Sequence, residues 1–461
     1  MTSNAYGKQV GIMKWSFGIV LVFGVLTAPP ARGQCEQAKL TASDAAERDV
    51  FGTSVDISGD YLVVGAPTTA SSPDRPGAAY VFQRNNFDWV EVQKLTASDA
   101  APIDAFGQSV TISEDVIAVG AWRAPEDGII PGAVYVFRRA DETWVEEAKI
   151  IPSDIGDGDQ FGLPVSIDGN YLAIGAKRHD LPVTNAGAVY VYWFDGVSWV
   201  QQDKLTASDA TSNTLLGGRA SLSGNVAVAR SFFENATYVF RREGVSWSQE
   251  AKLIPSGLAP EDEIAAVGVR GDEIIVGYIQ VSKPFASVTA DETSGTAYVF
   301  RYFAGSWVEA GQLIPGVATP YARFGHSLDF GESNLVICAR DDAQFTGAAY
   351  FFKRIGMLWT AQQKITATDG AENNGFGDSC AIDGTHVVVG ASGDDDACPK
   401  ELVCASGSAY VYWLKSSPAC EDIPTVTMWG FMSLLLLLVC TATIRIRRNW
   451  PPSWIQPAIC L

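Results

Sequence analysis

One phrase recurs seven times along the chain, and this recurrence constrains the fold more than any other feature. Each copy is marked by a tyrosine in a frame of small residues: Gly77-Ala-Ala-Tyr80, Gly132-Ala-Val-Tyr135, Gly187-Ala-Val-Tyr190, Asn235-Ala-Thr-Tyr238, Gly295-Thr-Ala-Tyr298, Gly347-Ala-Ala-Tyr350 and Gly407-Ser-Ala-Tyr410. Nine residues after each of the first six comes a tryptophan, from Trp89 to Trp359, and five residues later Lys or Gln precedes Leu or Ile, as in Lys94-Leu95 and Gln312-Leu313. Phe-Gly opens the copies at Phe51, Phe106, Phe161, Phe324 and Phe376; Leu216-Gly217 stands there in the fourth, and Glu263-Ile264 in the fifth and most degenerate. A repeat of roughly 40–60 residues, rich in β-branched and aromatic side chains, predicts propeller blades.

Each copy divides into four strands. Strand A begins at Phe51-Gly52, and a tight turn follows at Ser58-Gly59-Asp60. Strand B, Tyr61 to Ala66, is nearly all apolar, as expected of a strand covered on both faces. Strand C runs from Ala78 to Phe82, and its Gly and Ala neighbours read as crowding near the axis. Strand D, Trp89 to Leu95, alternates and belongs at the rim. The expected fold is therefore all-β, a seven-bladed β-propeller of four-stranded antiparallel blades over residues 34–415. The seventh copy, Phe376 to Trp413, lacks strand D, whereas the stretch from Cys35 to Leu40 is a strand D without a blade. The N-terminal strand is predicted to complete blade seven and leave no open edge. Cys35 and Cys420 reach the same slot from opposite ends, which predicts a disulfide across the seam. Cys398 and Cys404 are expected to close a small loop, while the pairing of Cys338 and Cys380 stays open.

The ends carry other signals. Residues 1–33 read as a secretory signal peptide: Lys8 and Lys14, an apolar run from Trp15 to Leu26, then Ala31-Arg32-Gly33. Residues 416–428 form a linker, 429–448 a transmembrane helix with a basic stop at Arg445, Arg447 and Arg448, and 449–461 a short tail. Ile423, Pro424 and Thr425 with Trp429 and Gly430 resemble the IPTLxxWG-type C-terminal sorting signals of Gram-negative bacteria, with Val426 replacing Leu. That resemblance implies an exosortase-type processing enzyme as partner and delivery to the cell surface. A plain anchor helix is the alternative, and either makes the membrane a partner.

The formal charge of −19 and the sequence pI of about 4.6 exclude nucleic acid as a natural partner. Only His179, His326 and His386 are available for histidine chemistry, and no nucleophile elbow, zinc-protease helix or phosphate loop occurs. The repeats resemble the FG-GAP repeat of the integrin α-subunit propeller. The family's calcium loop lies between strands A and B, where this chain has only Ser58-Gly59-Asp60 or equivalents, too short to supply six to eight oxygens. No cofactor is therefore predicted, and metal binding is left open. The B–C and D–A loops share one face, which is variable and acidic. Candidate binding residues there are Asp44, Asp99, Asp154, Asp157, Asp159, Asp394, Asp395 and Asp396. They read either as solvated loops with local Asx turns or as a face for cations or basic ligands. The expected function is an exported, surface-displayed, non-catalytic recognition or adhesion module with an extracellular protein or glycan ligand. A structural spacer and a hydrolytic propeller are the alternatives.

Overall fold

The computed structural model describes residues 36–414, apart from 69–74, 87, 181, 259–261, 281–293, 316–318, 320 and 396–403. The described strands form seven four-stranded antiparallel sheets. Blade one is Ser54–Ser58, Tyr61–Ala66, Ala78–Asn85 and Asp88–Leu95, paired in chain order as strands A to D. The next five blades repeat that order, and successive A strands pack together around the axis. Blade seven takes A, B and C from Phe376–Asp383, His386–Ala391 and Ser408–Trp413, and D from Glu36–Leu40. Lys39 faces Tyr410 and Leu40 faces Ala409, matching Lys94 against Tyr80 and Leu95 against Ala79. The N-terminal strand thus closes the ring in the register of an ordinary blade.

The five blades that open on Phe-Gly each pack around one aromatic pair. The opening phenylalanine is fully buried and meets the strand-C tyrosine edge to face, with centroids 5.5 Å apart for Phe51 and Tyr80 and 5.4 Å for Phe376 and Tyr410. The strand-D tryptophan reaches the preceding blade: Trp89 Nε1 donates to Gln37 Oε1 and Trp247 Nε1 to Gln202 Oε1. Strand D also carries a β-bulge. Tyr80 to Arg84 in strand C span the same length as Lys94 back to Trp89 in strand D, so D holds one extra residue. The constant spacing from Trp to Lys contains that residue, but its offset shows only once the pairing is known.

The small residues of strand B allow the close packing of sheet on sheet expected of them. A Cβ on Gly65 would lie 1.9 Å from the carbonyl oxygen of Gly107, and one on Gly390 would lie 2.0 Å from that of Gly52. The close approach is between blades. The strand-B glycine of one blade receives the backbone of the next blade's Phe-Gly opening, whose glycine has φ near +90° (Gly52 +90°, Gly107 +92°).

Cys338 and Cys380 are buried and free, and Cys404 is buried and disulfide-bonded. Cys35, Cys398, Cys420 and the residues of the expected sorting motif, Ile423, Pro424, Thr425, Trp429 and Gly430, lie outside the described residues, as do the segments expected to be a signal peptide and a transmembrane helix. Among the described residues no helix is long and apolar enough to cross a membrane.

Candidate functional site

Most of the acidic candidates hold the blades together. Asp44 accepts from the Tyr80 hydroxyl at 2.7 Å and pairs with Lys94 at 2.6 Å. Asp99 does the same with Tyr135 and Lys149, and Asp154 with Tyr190 and Lys204. Asp209 and Asp369, not singled out from the sequence, repeat the strut with Tyr238 and Lys252 and with Tyr410 and Lys39. In blade six the acid comes from the other loop: Asp342, fully buried, binds Tyr350 and Lys364. Asp159 is also buried. It accepts from Gly156 N at 2.8 Å and meets His179 Nδ1 at 2.8 Å. Asp157 accepts from Ile130 N at 2.8 Å. Asp394 is buried on Ser408 and Tyr410 and pairs with Lys39 at 2.9 Å. Asp395 is partly exposed, and Asp396 lies outside the described residues. Asp157 thus reaches back to the preceding blade, whereas the others bond within their own blades, and they do not converge. Among the described residues no group of three or more His, Cys, Asp or Glu could hold a metal ion.

The axial channel has a different character. Polar side chains of several A strands accept hydrogen bonds from the next: Asp56 from Ile112 N and Thr111 Oγ1, Ser166 from Leu222 N, Ser221 from Val269 N, and Asp329 from Ile382 N. The carboxyl of Asp56 is pushed up to about 7, first by burial and then by the charge of Asp329. Between its ordinary 3.8 and about 7 the folded chain keeps a proton that the unfolded chain has lost. Stability from this group therefore falls as pH rises through that window, by up to about 1.4 kcal/mol per pH unit. Asp56→Asn removes the titration. Urea unfolding at the two ends of the window should show a smaller loss of stability in Asp56→Asn than in the wild type.

Where the A and B strands reach the variable face, the channel mouth is basic. Arg230 pairs with Thr237, the place where Gly65 pairs with Ala79 in blade one, so an arginine replaces the strand-B glycine. In the following blade the pairing puts Ile264-Ala265 in the place of Phe-Gly, one residue on from the Glu263-Ile264 expected from the sequence. This seam is bridged by guanidinium groups: Arg230 donates to Ile264 O, and Arg219 Nε donates to Ala265 O at 2.8 Å. Lys177, Arg178, Arg323 and Arg340 add further positive charge from blades three and six. Glu263 meets Arg230 at 3.3 Å, Asp341 meets Arg323 at 3.0 Å and Asp378 meets Arg340 at 2.8 Å. Lys177 has no hydrogen-bond or ion-pair partner among the described residues. Burial, then Arg178, Arg219 and Arg230, lowers its pKa. Burial and the neighbouring Arg219 push Arg230 down to about 10. His326 is pushed down to about 3 by burial and then by Arg219, Arg340 and Arg323, so it is neutral near pH 7. Sequence reading passed over this cluster because its members share no spacing. The one available signal was the departure of copy four from the glycine pattern at Arg230.

Four stretches, residues 35–82, 89–137, 144–192 and 359–412, match the FG-GAP repeat family. Over these four stretches the chain carries FG-GAP repeats. Each matched stretch begins at a strand D and runs through strands A to C of the following blade, and the first begins on the N-terminal strand that closes the ring. The FG-GAP copies left unmatched include the fourth and fifth, where Leu216, Ile264 and Arg230 depart from the pattern. Among solved structures the fold is similar to U3-55K, with a TM-score of 0.50 at 10% identity, over 81% of this chain and 98% of that one. It is also similar to the periplasmic gluconolactonase of Pseudomonas aeruginosa, with a TM-score of 0.47 at 14% identity, over 70% and 87% of the two chains. At these identities the likeness is one of fold. No curated protein matches the chain by sequence.

Proposed function

We propose that this FG-GAP propeller is an exported, non-catalytic recognition module, displayed at the surface of a Gram-negative-type bacterium by its C-terminal segment. The observation that carries the reading is the distribution of charge on the variable face. Its loop carboxylates are engaged inside the blades, in pairs such as Lys94 with Asp44 and Lys204 with Asp154. The channel mouth instead gathers cations, among them Arg219 and Lys177. A rigid ring that presents fixed charge suits binding. The signal-peptide pattern and the Ile423-Pro424-Thr425 and Trp429-Gly430 motif support export and sorting.

The test is an array of glycans and extracellular proteins probed with the purified ring, alongside a panel of hydrolase substrates. Saturable binding to a restricted ligand class without turnover is the expected result. Turnover would overturn the non-catalytic reading, and a ring that binds nothing on the array would favour the spacer.

A further inference from the structure

We propose that the channel mouth binds an acidic sugar, its carboxylate held between Lys177 and Arg219 and its ring against neighbouring aromatic side chains. This rests on the recognition reading and names its ligand. Three observations meet at the mouth. Lys177 has no partner among the described residues, and Arg219 hydrogen-bonds only backbone carbonyls, Ala265 O at 2.8 Å and Gly218 O at 3.4 Å. Arg219 is largely enclosed by protein yet partly accessible to solvent, as a channel-lining side chain is. Beside it, Gly218 opens a recess. A Cβ there would sit 3.6 Å from Lys177 Cδ and 3.7 Å from Arg230 Nε, and that Nε is buried without a hydrogen-bond partner. The other copies with a Phe-Gly opening fill this position with Thr53, Gln108, Leu163, His326 and Asp378.

A planar guanidinium with an ammonium beside it suits a carboxylate. The aromatics add the sugar. Trp122 follows the Gly-Ala of strand B in blade two, as Lys177 does in blade three. Phe232 stacks under Arg230 at 4.8 Å and edge-on against Phe233, which is 67% exposed. Arg123 stacks on Trp122 at 4.3 Å as Arg230 does on Phe232, so the exposed Phe233 is the ring that most openly offers a flat apolar face to the carbon face of a pyranose. A polyacidic peptide would also meet the carboxylates of the surrounding loops. A single carboxylate on an otherwise uncharged, hydroxylated ring avoids that repulsion.

The experiment is calorimetric titration of the purified full ring at low ionic strength with four probes: a disaccharide ending in glucuronic acid, its glucose-ended counterpart, inorganic phosphate and a tetraglutamate peptide. The acidic disaccharide is expected to bind, and the other three not. K177M should weaken it by at least about tenfold. K353M, on an exposed lysine of blade six that pairs with Asn334 beside the A–B turn, away from the mouth, should leave affinity unchanged, and both variants should melt with the wild type. Equal binding of the glucose-ended sugar, equal losses in K177M and K353M, preference for the peptide or phosphate, or no binding by the acidic sugar would each overturn the site. Lys177-dependent binding followed by turnover would overturn the non-catalytic reading alone. Array ligands bound independently of Lys177 would leave that reading standing and overturn this site.

Discussion

Gly120→Ala is expected to destabilise the ring by at least about 3 kcal/mol, at the upper end of what overpacking costs. Gly120 is the strand-B glycine of blade two, and its missing Cβ would lie 1.9 Å from Gly162 O and 3.0 Å from Gly162 C. Both contacts are backbone, so no rotamer change relieves them; the seam between blades two and three must open. Opening it exposes the interlayer that packs Val116, Ala118 and Val136 against Phe161 and Leu172. Gly59→Ala is the comparison. Gly59 sits in the A–B turn with φ +60° and nothing within 4 Å of its Cβ position. That substitution pays only for a left-handed alanine, about 1 kcal/mol. Urea midpoints at constant m-value separate the two. Equal costs would mean that the blades are not joined through their glycines.

Asp342→Ala is expected to cost about 3–5 kcal/mol, the range for breaking a buried ion pair from one side. Asp342 is fully buried. It accepts from Thr319 Oγ1 at 2.9 Å, binds the Tyr350 hydroxyl and pairs with Lys364 at 2.8 Å. Burial raises its pKa, but the bonds from Lys364 and Tyr350 outweigh burial, and the net shift is downward. Its contribution is therefore present above the ordinary carboxylate pKa and lost as pH falls through the lowered one. Asp44→Ala removes the equivalent strut of blade one, where the Asp44 and Lys94 side chains are 54% and 40% exposed. There the expected cost is about 1 kcal/mol. Chemical denaturation near neutral pH measures both, and an Asp342→Ala cost no larger than that of Asp44→Ala would contradict the buried strut.

These cases show where the sequence is legible. The blade count and the closing strand followed from the spacing of tyrosine, tryptophan and lysine, which pairing turns directly into register. The strut was also written there: Asp44, Asp99 and Asp154 each precede their tyrosine by 36 residues and their lysine by 50. Without knowing that loop, strand C and strand D meet at one point, the acids read as a ligand face. Asp342 escaped because it replaces the missing acid from a different loop. The bulge of strand D was hidden because an extra residue has no signature without its partner strand. The mouth was hidden for a stronger reason: Lys177, Arg219, Arg230 and His326 come from blades three, four and six and meet only when the ring closes.

The central claim is that this acidic ring gathers open positive charge at its mouth and uses it to hold an anionic ligand. Titration of the Lys177 side chain by NMR, with its signal assigned from K177M, tests this most directly. Lys177 is expected to titrate below the usual lysine range in the free ring, because burial and the surrounding arginines disfavour its charge. Saturation with the glucuronic acid disaccharide should move its pKa upward, as an opposing carboxylate favours the charged form. An ordinary lysine pKa that does not respond to the disaccharide would contradict the claim.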